Sequence, residues 1–135
     1  MNGPPVFLDT VGLIALWDRD DQWHPRASQA FLEIAKQRSR LYTSAPVLLE
    51  CANAAARRPY RGIVAELWRE LKAAGCVFHP TEQDWEEAWA DYKKGPVGGP
   101  GVVDLISFRA MRSWRVGRAF TNDRHFREAG FQILF

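Results

Sequence analysis

Four acids stand where the hydrophobic pattern expects core: Asp9 closes PVFLD, Glu50 lies inside PVLLECANAAA, Asp104 inside GVVDLISF, and Asp123 ends the short apolar segment of FTNDRHF. An acid in apolar surroundings is costly unless something uses its charge. Carboxylates gathered without a cation repel one another and raise one another's pKa, an arrangement that a metal ion relieves. An all-oxygen donor set of this type selects Mg2+ or Mn2+ over zinc. Singly, each acid has an ordinary structural role: Asp104 caps a helix, Asp123 and Asp9 make turns, and Glu50 reaches solvent. Their joint chemistry depends on whether one fold gathers them.

The elements that would do so alternate along the chain. VFLD at 6–9 is a short apolar run ending in a polar turn, which suits a buried parallel strand, and TVGLIALW continues as a helix. HPRASQAFLEIAKQRS at 24–39 has helical spacing, LYTS at 41–44 reads as a strand, and Ser44 is placed to cap the helix over 46–58 with Pro46 in its first turn. YRGIVAELWRELKAAG ends at Gly75 as a helix C-terminus, and CVFH at 76–79 is a third strand. Thr81 and Asp84 form a capping box for TEQDWEEAWADYKK, whose Trp85, Ala88, Trp89 and Tyr92 make the expected buried stripe. After the loop GPVGGPG come a helix over 102–116, a strand RAFTND, a helical turn over 124–129 and a last strand FQIL.

Such alternation predicts an α/β fold, a three-layer α/β/α sandwich with a central parallel sheet of four to five strands. In open sheets of this kind ligands bind beyond the carboxyl ends of the strands. Asp9 and Asp123 each close a predicted strand, so a parallel sheet brings both to one edge. On the helix over 46–58, Glu50 lies beside Val47, Cys51 and Ala54 and is expected to point toward the core side. Asp104 falls at the edge of the stripe Val103, Ile106, Ala110 and Trp114, in a first turn that favours negative charge.

Composition narrows the setting. At 135 residues, the chain suits a single domain over 1–135. Hydrophobic residues at 47% and charged ones at 25% argue against wholesale disorder. A net charge of +2 is too mild to specify a polyanionic partner, so any basic surface must be local. Cys51 and Cys76 have no paired spacing and read as buried free thiols of a reducing compartment. The N-terminus lacks a basic region followed by an apolar span, so no membrane segment is expected and the reading is cytoplasmic. His24, His79 and His125 are scattered, without zinc or nucleophile–base spacing, and none receives a catalytic role.

The order VFLDT, TSAPVLLE, VVDLISF, FTNDRHF closely resembles the PIN-domain ribonucleases, VapC-type toxins in particular, over nearly the whole chain. Its most specific part is VVDLISFRAMRSWRVGRAFTNDRHFREAGFQIL; one departure is GPVGGPG, where relatives commonly carry a Ser or Thr shortly before the acid. The resemblance implies a PIN-like fold, Mg2+- or Mn2+-dependent hydrolysis of RNA phosphodiester bonds, and pocket acids Asp9, Glu50, Asp104 and Asp123. It also implies a cognate antitoxin that blocks the groove by the acids, and a homodimer. Thr10 and Thr121 have hydroxyls near the pocket, suited either to orienting carboxylates or to completing turns. Arg58, Arg109, Arg112 and Arg124 are candidates for RNA phosphate, against the alternative of a solvated face.

Two rivals belong to other classes. FLDT resembles the aspartyl-phosphatase start of haloacid dehalogenase-like enzymes, but that motif needs a second Asp where Val11 stands. A catalytically silent PIN-like protein-binding module is the other; mutually repelling acids give a pure binder no advantage.

Overall fold

The computed structural model describes residues 2–135. Twelve elements are assigned among them: β1 (Val6–Leu8), α1 (Thr10–Trp17), α2 (His24–Lys36), β2 (Leu41–Ser44), α3 (Ala45–Ala55), α4 (Arg61–Ala73), β3 (Val77–Phe78), α5 (Glu82–Lys94), α6 (Val102–Trp114), β4 (Arg118–Phe120), α7 (Arg124–Glu128) and β5 (Gln132–Ile133). All strand pairs are parallel, in the order β3-β2-β1-β4-β5, so the sheet has five strands, within the expected four to five, and is flanked by helices. Val6, Phe7 and Leu8 are all buried, which is what an uninterrupted apolar triplet achieves only in the middle of a covered parallel sheet.

The order has one functional consequence. The chain builds outward from β1 to β2 and β3, then returns to β4 on the other side of β1. The switch point therefore lies between β1 and β4, and the crevice beyond their carboxyl ends is where an open α/β sheet offers a ligand site.

Local signals behave as the residue types require. Ser44 caps α3, its hydroxyl accepting from the Val47 backbone N–H at 3.3 Å, and Thr81 with Asp84 forms the capping box of α5. Gly75, at φ 71°, follows α4 in the left-handed region that glycine tolerates. The helix over 24–39 ends earlier than expected, at Lys36, because the chain turns back through Arg38 at φ 53°. Among the described residues, no helix is long and apolar enough to cross a membrane.

The α5 stripe needs correction. Only Ala88 is buried; Trp89 and Tyr92 are 53% and 50% exposed and pack edge-to-face on each other, with ring centroids 5.5 Å apart. Helix α5 packs chiefly on α6, and a small residue plus ion pairs makes that contact. Arg109 of α6 reaches Asp84 at 3.0 Å and also pairs with Glu87.

Gly12 fixes how α1 meets the sheet. A Cβ there would lie 2.0 Å from the Phe120 carbonyl oxygen and 2.7 Å from its carbonyl carbon, so α1 rests directly on the backbone end of β4. Backbone cannot yield as a flexible side chain does. Gly12→Ala is therefore expected to lower stability by about 3 kcal/mol or more, at or above the usual range for overpacking, as a shift of the urea midpoint would reveal.

Candidate metal centre

Strand register sets the first contact of the site. Leu8 pairs with Phe120, so the next residues, Asp9 and Thr121, leave the sheet side by side. The Thr121 hydroxyl donates to Asp9 Oδ2 at 2.8 Å, and both side chains are buried. Asp9 is also the N-cap position of α1, without a side-chain capping bond. Its pKa is pushed up to about 7, first by burial and next by repulsion from Asp104, with Asp123 adding to it and the Thr121 hydroxyl opposing it. This repulsion bears directly on the convergence of the acids: Asp104 and Asp123 act on a residue from the other end of the chain.

Glu50 stands differently from expectation. The inward face of α3 carries Val47, Leu48, Cys51 and Ala55, while Glu50 and Ala54 are exposed. Being one position before the buried Cys51 puts Glu50 on the rim of that face. There the Thr10 hydroxyl, from the first turn of α1, donates to Glu50 Oε1 at 2.6 Å. Glu50 nevertheless contributes to the raised pKa of Asp104, so it belongs to the same field. Cys51 beneath it is held near 12 by burial, with Asp9 and Glu50 pushing the same way, so its thiol stays protonated and inert.

Asp104 sits half-buried in the first turn of α6, with its pKa raised to about 6 by burial and then by Asp123 and Glu50, against an opposing backbone hydrogen bond at Gly101. Asp123 caps α7, its Oδ1 accepting from the His125 backbone N–H at 2.9 Å, while the Thr121 hydroxyl accepts from the Asp123 N–H at 3.1 Å. Thr121 thus serves Asp9 and Asp123 at once. Asp104, Asp123 and His125 each present a ligand atom within 4.8 Å of the others, a group able to hold a metal ion. The donor chemistry fits a hard divalent cation: acidic oxygens crowded until two titrate abnormally, with a single nitrogen beside them.

His125 has no role by sequence spacing alone, because the three histidines form no zinc pattern. The pertinent signal was local, a histidine two residues after a strand-end acid. Its Nδ1 lies 3.0 Å from Asp123 Oδ1 and its Nε2 lies 2.8 Å from the Gly98 carbonyl oxygen.

The candidate phosphate-binding arginines do not stand free as a group. Arg109 is engaged by Asp84 and Glu87, Arg58 pairs with Asp18 at 3.1 Å, and Arg124 pairs with Glu128 at 3.1 Å. Arg112 lies over the rings of Phe108 and Phe131 and, among the described residues, has no carboxylate partner. Of the four it alone combines exposure with an uncompensated charge.

An open parallel sheet with acids near its switch point is the arrangement in which an α/β domain offers a ligand site beyond the carboxyl ends of its strands. Residues 6–132 match the PIN domain, and the chain belongs to that family, whose members are typically nucleases. Among solved structures it is similar to VapC20 of Mycobacterium tuberculosis, a Sarcin-Ricin loop cleaving toxin, with 26% identity and a TM-score of 0.74 over 93% of this chain and 95% of that one. It also shares the fold of FitAcB from Neisseria gonorrhoeae, at 17% identity and a TM-score of 0.58 over 96% of each chain. No curated protein matches it in sequence.

Proposed function

We propose that the chain is a Mg2+- or Mn2+-dependent endoribonuclease, the toxin of a toxin–antitoxin pair, working as one domain over 1–135 in the cytoplasm. The observation that carries this reading is the meeting of acids at the switch point, where Asp9 leaves β1 beside Thr121 and where Asp104, Asp123 and His125 each present a ligand atom within 4.8 Å of the others. Burial and mutual repulsion push the pKa values of Asp9 and Asp104 up. Such repulsion is a standing cost to the fold that a divalent cation removes. Similarity to a toxin that cleaves the Sarcin-Ricin loop supports RNA as the substrate.

Asp9, Glu50, Asp104 and Asp123 would hold the ion. When bound, it supplies Lewis-acid stabilisation of charge on the phosphate and makes an attacking water more acidic. The chain's own part is orientation. Thr121 aims Asp9 through Oδ2, Thr10 aims Glu50 through Oε1, and Asp123 is fixed by the first turn of α7. Three of the four ligands thereby have a partner holding them before the ion arrives, which keeps the reorganisation on binding small. Of the four arginines, Arg112 is the one without a carboxylate partner and so has its charge available to RNA phosphate. A cognate antitoxin covering the acid edge and a homodimer complete the proposal.

The test compares wild type with Asp104→Asn and Glu33→Gln. Glu33 lies exposed on α2, beside Lys36 at 3.5 Å and apart from the acid edge. Mn2+ binding followed by calorimetry without RNA, together with cleavage of a structured RNA, should be lost in Asp104→Asn and unchanged in Glu33→Gln. Equal loss in both variants would assign the effect to general damage and sink the reading.

A further inference from the structure

We infer that His125 is a positioning residue: it latches the 95–101 loop to Asp123 and so holds Asp104 and Asp123 in mutual register. The inference rests on the reading of these acids as a metal centre.

The contacts form a closed circuit. A carbonyl oxygen only accepts, so His125 Nε2, 2.8 Å from the Gly98 oxygen, carries a hydrogen and donates it there. On its other side His125 is tied to Asp123 by its backbone N–H, which donates to Asp123 Oδ1 at 2.9 Å, and the ring lies against the same oxygen, only 18% exposed. The loop is shaped to present that carbonyl. Gly98 takes φ 84°, a conformation that L side chains rarely adopt, and the Gly99 N–H donates to the Pro96 carbonyl at 3.0 Å to close the turn.

Three residues later the loop ends at Gly101, the N-cap position of α6, whose carbonyl accepts from Leu105 N–H at 3.1 Å. Asp104 stands three residues after that N-cap, in the first turn of α6. Loop position is thus carried into the first turn of α6, where Asp104 stands, and through His125 to Asp123. Next to His125, Phe126 is fully buried and meets Phe108 of α6 edge-to-face at 4.9 Å, so the latch stands on a fixed base. GPVGGPG needs no Ser or Thr hydroxyl in this arrangement, because its contribution is made by backbone.

The experiment measures Mn2+ affinity by calorimetry on RNA-free wild type, His125→Ala, His125→Gln and His125→Asn, with melting in EDTA to confirm folding. Gln carries an amide donor at about the reach of Nε2, whereas Asn carries one at about the reach of Nδ1. Loss of the latch should weaken Mn2+ binding by about 10-fold or more in His125→Ala, the usual effect of removing a group that orients metal ligands. Gln should recover most of that loss and Asn little. If His125 were instead a direct ligand, Asn, whose amide reaches about the place of Nδ1 and whose oxygen can itself ligate, would rescue at least as well as Gln, and the inference falls.

It falls equally if His125→Ala binds Mn2+ as wild type does, or if Asn rescues as well as Gln, since contact with Asp123 alone would then suffice. Wild type that binds no Mn2+ overturns the metal reading together with this inference, whereas the other outcomes overturn the inference alone. Should His125→Ala fail to fold, the Gln and Asn variants decide by themselves.

Discussion

Asp9→Asn is expected to reduce Mn2+-dependent RNA cleavage to the background seen in EDTA while making the metal-free protein harder to unfold at neutral pH. Both effects come from one charge. The Asp9 side chain is buried at the end of β1, and its pKa stands near 7 rather than 3.8. Ionising it in the fold costs about 4 kcal/mol relative to the unfolded chain, taking three pKa units at about 1.4 kcal/mol each. Asparagine keeps the shape and still offers an oxygen to the Thr121 hydroxyl, so that hydrogen bond is retained.

Some of that cost should therefore return as stability, read as a higher urea midpoint in EDTA at pH 7.5. A negative charge is meanwhile missing where the cation needs it. Surviving cleavage would remove Asp9 from the chemistry. A lower urea midpoint would mean that the carboxylate supports the fold rather than straining it.

Much of the architecture was legible because the elements carry strong local signals. Val6–Leu8 is apolar without interruption, Ser44 and Thr81 cap the helices they precede, and Gly75 ends α4, so each boundary had a physical marker. The α5 stripe misled because periodicity reports which residues share a face, not whether another element covers it. Trp85, Ala88, Trp89 and Tyr92 do share a side, but α5 is an outer helix that meets α6 through Ala88 and the Arg109 ion pairs. Gly12 was silent for the opposite reason: its importance lies in Phe120, more than 100 residues away, and no local pattern announces that approach.

The acids show the same division. Asp9 and Asp123 were readable as strand ends, and parallel topology alone puts strand ends on one edge. The orientation of Glu50 was only half right, since helical phase places it next to Cys51 but leaves open which side of the boundary it takes. Among the arginines, sequence gives charge but not partners. Arg58, Arg109 and Arg124 are engaged by acids contributed from elsewhere in the fold or along the same helix, and only the packed structure separates them from Arg112. For His125 the nearness to Asp123 is legible as a histidine two residues after a strand-end acid, whereas its second partner is a loop carbonyl, a group present at every residue, and leaves no mark in the sequence.

Proton linkage provides the second large prediction. The folded-state pKa values of Asp9, about 7, and Asp104, about 6, both lie above the ordinary 3.8, so the folded protein holds more protons than the unfolded chain between about pH 4 and pH 7. Stability rises with pH only where the unfolded state binds more protons; here the reverse holds, and these two groups make the metal-free protein lose stability as pH rises through that window. Divalent metal should reverse the trend, because binding requires both carboxylates ionised. At pH 6, Mn2+ binding is expected to release roughly one to two protons, falling toward none by about pH 8.5, with affinity climbing across the interval. Calorimetry in two buffers of different ionisation enthalpy measures the release directly. Binding without proton release at pH 6 would show that the ion enters without Asp9 and Asp104; release that fades with pH as described would tie it to the pair whose repulsion it relieves.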